Sequence, residues 1–266
     1  MKVVVVQVVA AAVDVTKFIT ASEASSQAKK TAILLKTLSV NALITGEVGV
    51  GKKSLASFIL PDAFHIDASN FDELLLSLKN LDNIIITNID NSPNLELLIE
   101  AIKNNNVRVI ATSKESFSHV LIDDLFSVKF NIPPLRERVE DVDELLQYFI
   151  FEAMGLFGSE HEFDMSNFKP DLSQNALSLK RQVMINYLLQ DVQDSELMNI
   201  LERFLLNRLD EENDYRSLLY LFEAPLLKAG LSKFKSQVRL ASKLDINRNT
   251  LRKKILENKS YIEGNE

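Results

Sequence analysis

Two patterns of apolar residues divide the chain. Up to residue 147, short runs rich in Val and Ile (2–9, 41–45, 63–66, 83–87, 108–112 and 127–132) alternate with stretches of helical apolar spacing (22–38, 52–60, 71–78 and 94–103). Short β-branched runs fit strands buried on both faces. Strands alternating with helices of this length predict an α/β fold with a mostly parallel, doubly covered sheet. From residue 142 onward only the helical period continues, at 142–156, 175–189, 195–209 and 215–231, with a final pair at 236–244 and 247–258. The stretch 157–174 carries Gly, Ser, Pro and His and fits a surface connection, and the acidic run 210–214 (DEEND) fits a linker. The predicted organisation is an α/β core at 1–147, a helical lid at 148–209 and a C-terminal helical domain at 210–266.

Composition narrows the chemistry. Of 266 residues, 46% are hydrophobic and 25% charged, which supplies ample core for a soluble protein. The absence of cysteine excludes disulfides, thiolate zinc sites and a thiol nucleophile, and fits a cytoplasmic location. No apolar stretch reaches the roughly 18 residues of a membrane span. Met1-Lys2 and the valines after them have the outline of an export signal, but Gln7 and Asp14 interrupt it. Valine favours strands, so a buried first strand is expected there. The net charge of −7 conceals a division: residues 228–259 carry ten Lys/Arg against two acids, a net +8, leaving −15 for the rest. His65, His119 and His161 lack zinc-ligand spacing, and Asp123-Asp124 and Glu140-Asp141 are adjacent acids that should point apart, so no metal site is expected.

The run 41–45 leads into Gly46-Glu47-Val48-Gly49-Val50-Gly51-Lys52-Lys53 and then a helical pattern. This is the strand–loop–helix setting of a phosphate-binding loop. Glycines let the backbone curl so that successive N–H groups face phosphate oxygens at a positive helix N-terminus. Gly46, Gly49, Gly51 and Lys52 are therefore the candidate nucleotide-binding residues, with Lys52 reaching the outer phosphates. Lys53 occupies the position that usually supplies a magnesium-binding hydroxyl. Ser54, one residue later, is turned about 100° around the helix. A glycine turn that merely packs strand on helix would look similar, so binding of ATP or ADP stays open.

The segment GEVGVGKK resembles the GESGTGKE loop of sigma-54-dependent transcription activators, the NtrC type of AAA+ ATPase. Residues 131–141 (NIPPLRERVED) resemble the family's PPLRERxED stretch, and 107–112 (VRVIAT) its VRVIAAT strand. The resemblance spans residues 20–262 and implies an AAA+ P-loop core followed by an all-α lid. Several positions depart from the family pattern. The acid pair that binds Mg²⁺ and polarises water is matched by Thr87-Asn88, with Asp90 displaced further on. Ser113 stands at the sensor I asparagine, Ile122 at an arginine finger, and Leu177 at the sensor II arginine. No GAFTGA sequence lies between 66 and 83. Arginine fingers alone contribute factors of about 10³–10⁵ in rate. The resemblance, with these losses, implies a pseudo-ATPase that does not remodel a sigma-54 polymerase.

Residues 223–231 resemble the start of a Fis-type domain, whose leading helices pair two subunits, and 236–255 resemble the helix-turn-helix sequence NQTRAAEMLGINRNTLRKKL. The residues themselves support that motif. Small Ala241 lets two helices cross closely, and Val238, Leu244, Ile246, Leu251 and Ile255 form an apolar seam. Asp245 replaces the usual turn glycine and tolerates a left-handed backbone, while Asn247 can cap the next helix. Arg248, Asn249, Thr250 and Arg252 would reach base edges or phosphates, and Arg239, Lys253 and Lys254 the phosphate backbone. With Asn247 these are the candidate DNA-binding residues. A basic helix that is only solvated surface or a partner-binding face is the plainer reading of the charge alone.

The expectation is a cytoplasmic transcriptional regulator that binds double-stranded DNA by dimeric site occupancy, pairing through its C-terminal helices. Contacts with other regulators are left open. The rival is a non-catalytic AAA+ scaffold that binds or inhibits active homologues or another complex, and a slow ATPase ranks third.

Overall fold

The computed structural model describes residues 18–157, 163, 165, 168–190, 192–209 and 214–263. The strand expected at 2–9, most of the acidic linker and His161 lie outside the described residues. The chain divides into two units between residues 191 and 192.

The first unit is built on five parallel strands, β1 (Ala42–Thr45), β2 (Phe64–Asp67), β3 (Asn83–Thr87), β4 (Arg108–Ser113) and β5 (Val128–Asn131), in the order β2-β3-β4-β1-β5. All five coincide with predicted runs to within two residues. Between them lie α1 (Glu23–Thr37), preceding β1, then α2 (Lys52–Ile59), α3 (Phe71–Ser77), α4 (Leu95–Asn105) and α5 (Val120–Leu125). Alternation along the strands separates two cores. Leu43, Ile84, Ile86, Val109 and Ala111 pack with Leu74 of α3 and Leu98 and Ile102 of α4. Ala42, Ile44, Ile85 and Ile110 pack with Ala32 and Leu35 of α1 and Leu55 and Ile59 of α2. Each such fully buried Leu or Ile contributes about 1.5–3 kcal/mol of transfer free energy. Two further helices, α6 (Glu140–Phe157) and α7 (Ala176–Gln190), close on a separate cluster around Val142, Leu146, Phe149, Leu179 and Val183.

The second unit contains α8 (Asp194–Leu206), α9 (Asp214–Leu218), α10 (Tyr220–Phe234), α11 (Gln237–Lys243), α12 (Arg248–Glu257) and α13 (Lys259–Ile262). Two features differ from the sequence reading. Helix α8, placed there with the lid, falls in this unit. The single helix expected at 215–231 is two, because Leu219 forms a turn between α9 and α10. The core here is Leu227, Leu240, Ala241 and Leu251, flanked by Leu231, Leu244, Ile246 and Ile255. Val238, expected in the seam, is 49% exposed. Leu240, two residues on and about 200° around the helix, takes the inward place.

Candidate nucleotide cleft and nucleic-acid interface

In the first unit, β1 ends at mid-sheet beside β4 and β5, where the connections diverge and open α/β sheets bind ligands at the strand C-termini. The chain then runs through the glycine loop into α2. Gly49 and Gly51 have φ of 81° and 102°, backbone that L side chains rarely adopt. A Cβ at Gly49 would also lie 2.1 Å from the carbonyl oxygen of Gln174. Gly46 is crowded in the same way by the carbonyl oxygen of Ile132, at 2.6 Å.

Lys52 turns its ammonium onto the carbonyl oxygens of Gly46 (2.5 Å) and Glu47 (2.7 Å). Burial holds its pKa below the usual lysine range, against the pull of the Asp90 and Glu47 carboxylates. Beside the loop is a cleft of about 410 Å³ whose lining includes Gly49, Gly51, Lys52, Lys53, Asn88 and Leu177. A second cleft of about 230 Å³ shares Gly51, Ser54 and Ala176 with it and is walled by Phe18, Tyr148 and Phe149. Curled backbone and a lysine suit phosphate groups, and aromatic walls next to them suit a flat base.

Residues not singled out in the sequence build this loop. Asn175, with φ of 53°, donates from Nδ2 to the Val48 carbonyl (2.9 Å) and to Glu47 (3.1 Å), while its Oδ1 accepts from the Leu135 amide (2.7 Å). Arg136 grips Glu47 with two hydrogen bonds of 2.6 and 2.9 Å. The Arg136 guanidinium, and after it Asn175, lower the Glu47 pKa to about 2. Buried Arg138 donates to the carbonyls of Val50 (2.6 Å) and Pro133 (2.9 Å) and to Asp141 (3.0 Å). Asp141 in turn accepts from the amides of Ala21 and Ser22 and the hydroxyls of Ser22 and Ser25. The stretch PPLRERVED was legible as a resemblance; this use of its Arg and Asp was not, since the partners lie far away in sequence.

The positions of the altered groups are equally specific. Thr87 is buried and donates to Asp67, whose oxygens also accept from Asn88, Ser69 Oγ and the Ser69 amide. Burial opposes these bonds, yet together they hold the Asp67 carboxyl below its ordinary range. Ser113 is fully buried and donates to the Lys114 carbonyl. Ile122 is 1% exposed, packed in the first core. Leu177 lines the larger cleft. Asp90 pairs with Lys114 at 3.3 Å. His65 pairs with Ser57, and His119 caps α5.

In the second unit, Asp245 has φ of 52°, the left-handed turn between α11 and α12. Asn247 caps α12 by accepting from the Asn249 amide at 2.8 Å. Gly230 of α10 lets Leu240 approach so closely that a Cβ there would sit 2.3 Å from its Cδ1. Arg248, Asn249, Thr250, Arg252, Lys253 and Arg239 are all exposed. Lys254 is partly buried and ion-paired with Glu223 of α10, so its charge is committed within the unit. Lys253 pairs loosely with Glu257 at 3.7 Å.

Residues 219–257 match the sequence profile described as bacterial regulatory protein, Fis family. No curated protein matches the chain significantly. Among solved structures, three crystal structures of NtrX from Brucella abortus are similar. The ADP complex aligns at TM-score 0.53 and 17% identity, covering 91% of this chain and 70% of that one. The ATP complex gives 0.54, 17%, 92% and 69%. A third structure gives 0.55, 16%, 91% and 69%. At such identities the likeness is one of fold. The chain thus shares the fold of NtrX, and its residues 219–257 carry a Fis-family match across the helix-turn-helix.

Proposed function

We propose that the protein is a transcriptional regulator that binds double-stranded DNA through α12 and acts by occupying its site as a homodimer. The observation that carries this is the recognition helix. Arg248, Asn249, Thr250 and Arg252 stand exposed at its start, behind a left-handed Asp245 turn and the Asn247 cap. Helix N-termini of this kind present base-reading side chains to the major groove. Pairing of two copies is supported by α8, which buries none of its residues and leaves Leu197, Ile200 and Phe204 exposed along one face. That same apolar face is what favours the scaffold reading. Fluorescence anisotropy with duplex DNA at two salt concentrations separates them. Binding by the intact chain, lost in Arg248→Ala/Arg252→Ala, supports the regulator; no binding by the intact chain supports the scaffold.

The cleft at the glycine loop, in this proposal, binds ADP or ATP as a ligand and does not hydrolyse it. Its loop and Lys52 suit phosphates. Thr87 and Asn88 supply no carboxylate to polarise water, and buried Ile122 supplies no charge to a neighbouring active site. NtrX from Brucella abortus has been crystallised with either nucleotide. Thermal shift with each nucleotide, against Lys52→Ala, tests binding. ATP turnover above that variant's background would overturn the non-catalytic part.

A further inference from the structure

We propose that this cleft takes its nucleotide free of divalent metal, with Lys53 beside Lys52 supplying charge that a magnesium ion brings to phosphates elsewhere. The inference rests on nucleotide binding as proposed above and concerns its form.

Magnesium demands near-octahedral oxygen coordination, keeps several waters, and is held at nucleotide sites by one or two carboxylates together with the phosphates. The donor set here does not meet that demand. Lys53 lines the cleft, and it stands at the sequence position of the coordinating hydroxyl. Thr87, at the carboxylate position, is neutral and turned to Asp67. Asp67 has both oxygens filled by Thr87, Asn88 and Ser69. Asn88 and Thr112, which line the cleft at the ends of β3 and β4, are neutral as well. Ser54 offers one hydroxyl, and Glu152, which lines the smaller cleft with it, is paired with Lys180. Among the described residues no three His, Asp or Glu side chains converge on a metal position.

Of the other carboxylates at the two clefts, Glu47 is held by Arg136 and Glu152 by Lys180, and the setting of Asp90 points the same way. Its side chain is 8% exposed, one oxygen lies 3.3 Å from the Lys114 ammonium, and the other is buried without a hydrogen-bond partner. The charge of Asp90 is thus already answered by a lysine.

The charge balance is consistent with this. A magnesium ion and two carboxylates sum to zero beside the phosphates. Here Lys53 contributes +1, the two acid positions contribute nothing, and Lys114 and Asp90 cancel. A divalent cation would add its full charge next to an ammonium with no acid to hold it. A metal-free polyphosphate needs cations, and they are present.

Calorimetric titration of the full chain with ADP and ATP, in EDTA and in millimolar Mg²⁺, tests this. The expected result is binding in EDTA at least as tight as in Mg²⁺. Lys53→Ser should then weaken ATP in EDTA by about tenfold, the scale of one lost charge at a few ångströms from a phosphate. Lys53 is exposed, so the variant should fold, which far-UV circular dichroism checks. Binding that requires Mg²⁺ would overturn the inference and leave nucleotide binding standing. Binding in EDTA that is unchanged in Lys53→Ser would overturn the assignment of Lys53. No binding in either buffer would overturn nucleotide binding itself and this inference with it.

Discussion

At the level of single residues, fold and function use neighbouring charges for different ends. Arg248 and Lys254 lie two helical turns apart on α12, yet one is exposed and the other is paired with Glu223. Arg248→Ala should lower DNA affinity by about tenfold, a loss of 1–3 kcal/mol for one base or phosphate contact, without changing the melting temperature. Lys254→Ala should show mainly in thermal stability, checked by differential scanning calorimetry beside the DNA titration. Glu47 gives a pH signature. Its folded pKa of about 2 lies below the ordinary glutamate value of 4.5, chiefly through Arg136. A depressed carboxyl stabilises the fold above pH 4.5, and that contribution is lost as pH falls from 4.5 through about 2. Carbon-detected NMR should find Glu47 titrating near the bottom of that window, and Arg136→Ala should return it toward the ordinary value. Sequence showed Lys254 only as one of a row of cations. Its inward turn depends on a glutamate 31 residues earlier, which no local pattern announces.

At the level of elements, the strands were legible because Val and Ile runs buried on both faces leave one solution. Ile84, Ile85 and Ile86 are all fully buried, as such a run predicts. The helix-turn-helix was legible for a similar reason: Asp245, Asn247 and Ala241 each satisfy a local need. Val238 misled because the apolar residues of 238–246 fit more than one helical face, and only the packing of Leu240 against Gly230 decides. Gly230→Ala should therefore overpack the α10–α11 crossing, destabilising the second unit by about 1–3 kcal/mol and weakening DNA binding with it, as read by urea unfolding and anisotropy. In the first unit, Asp141→Ala strands the buried Arg138 guanidinium. A loss of about 3–5 kcal/mol is expected in chemical denaturation, against a far smaller effect from changing exposed Glu140.

At the level of the whole chain, the +8 carried by 228–259 and the −15 elsewhere make a basic reader attached to an acidic body. DNA affinity should fall with salt at a log–log slope of about −0.9 per phosphate neutralised, and Arg252→Ala should make that slope shallower by about one. No helix among the described residues is long and apolar enough to cross a membrane.

The Arg138–Asp141 cluster bears on how the first unit folds. Asp141 gathers the Ser22 amide from 119 residues upstream, and Arg138 reaches Val50 across 88. Contacts of such separation bear a large loop-closure entropy before they repay it. The phosphate loop is therefore fastened from outside, by partners that arrive only when the distant chain has come back. Its amides should gain protection in pulsed hydrogen exchange later than those of β3 and β4, whose neighbouring strands can pair as soon as α4 has formed. The cleft beside the glycine loop is thus expected to close last in folding, and a nascent chain stalled before residue 138 should hold a sheet but no cleft.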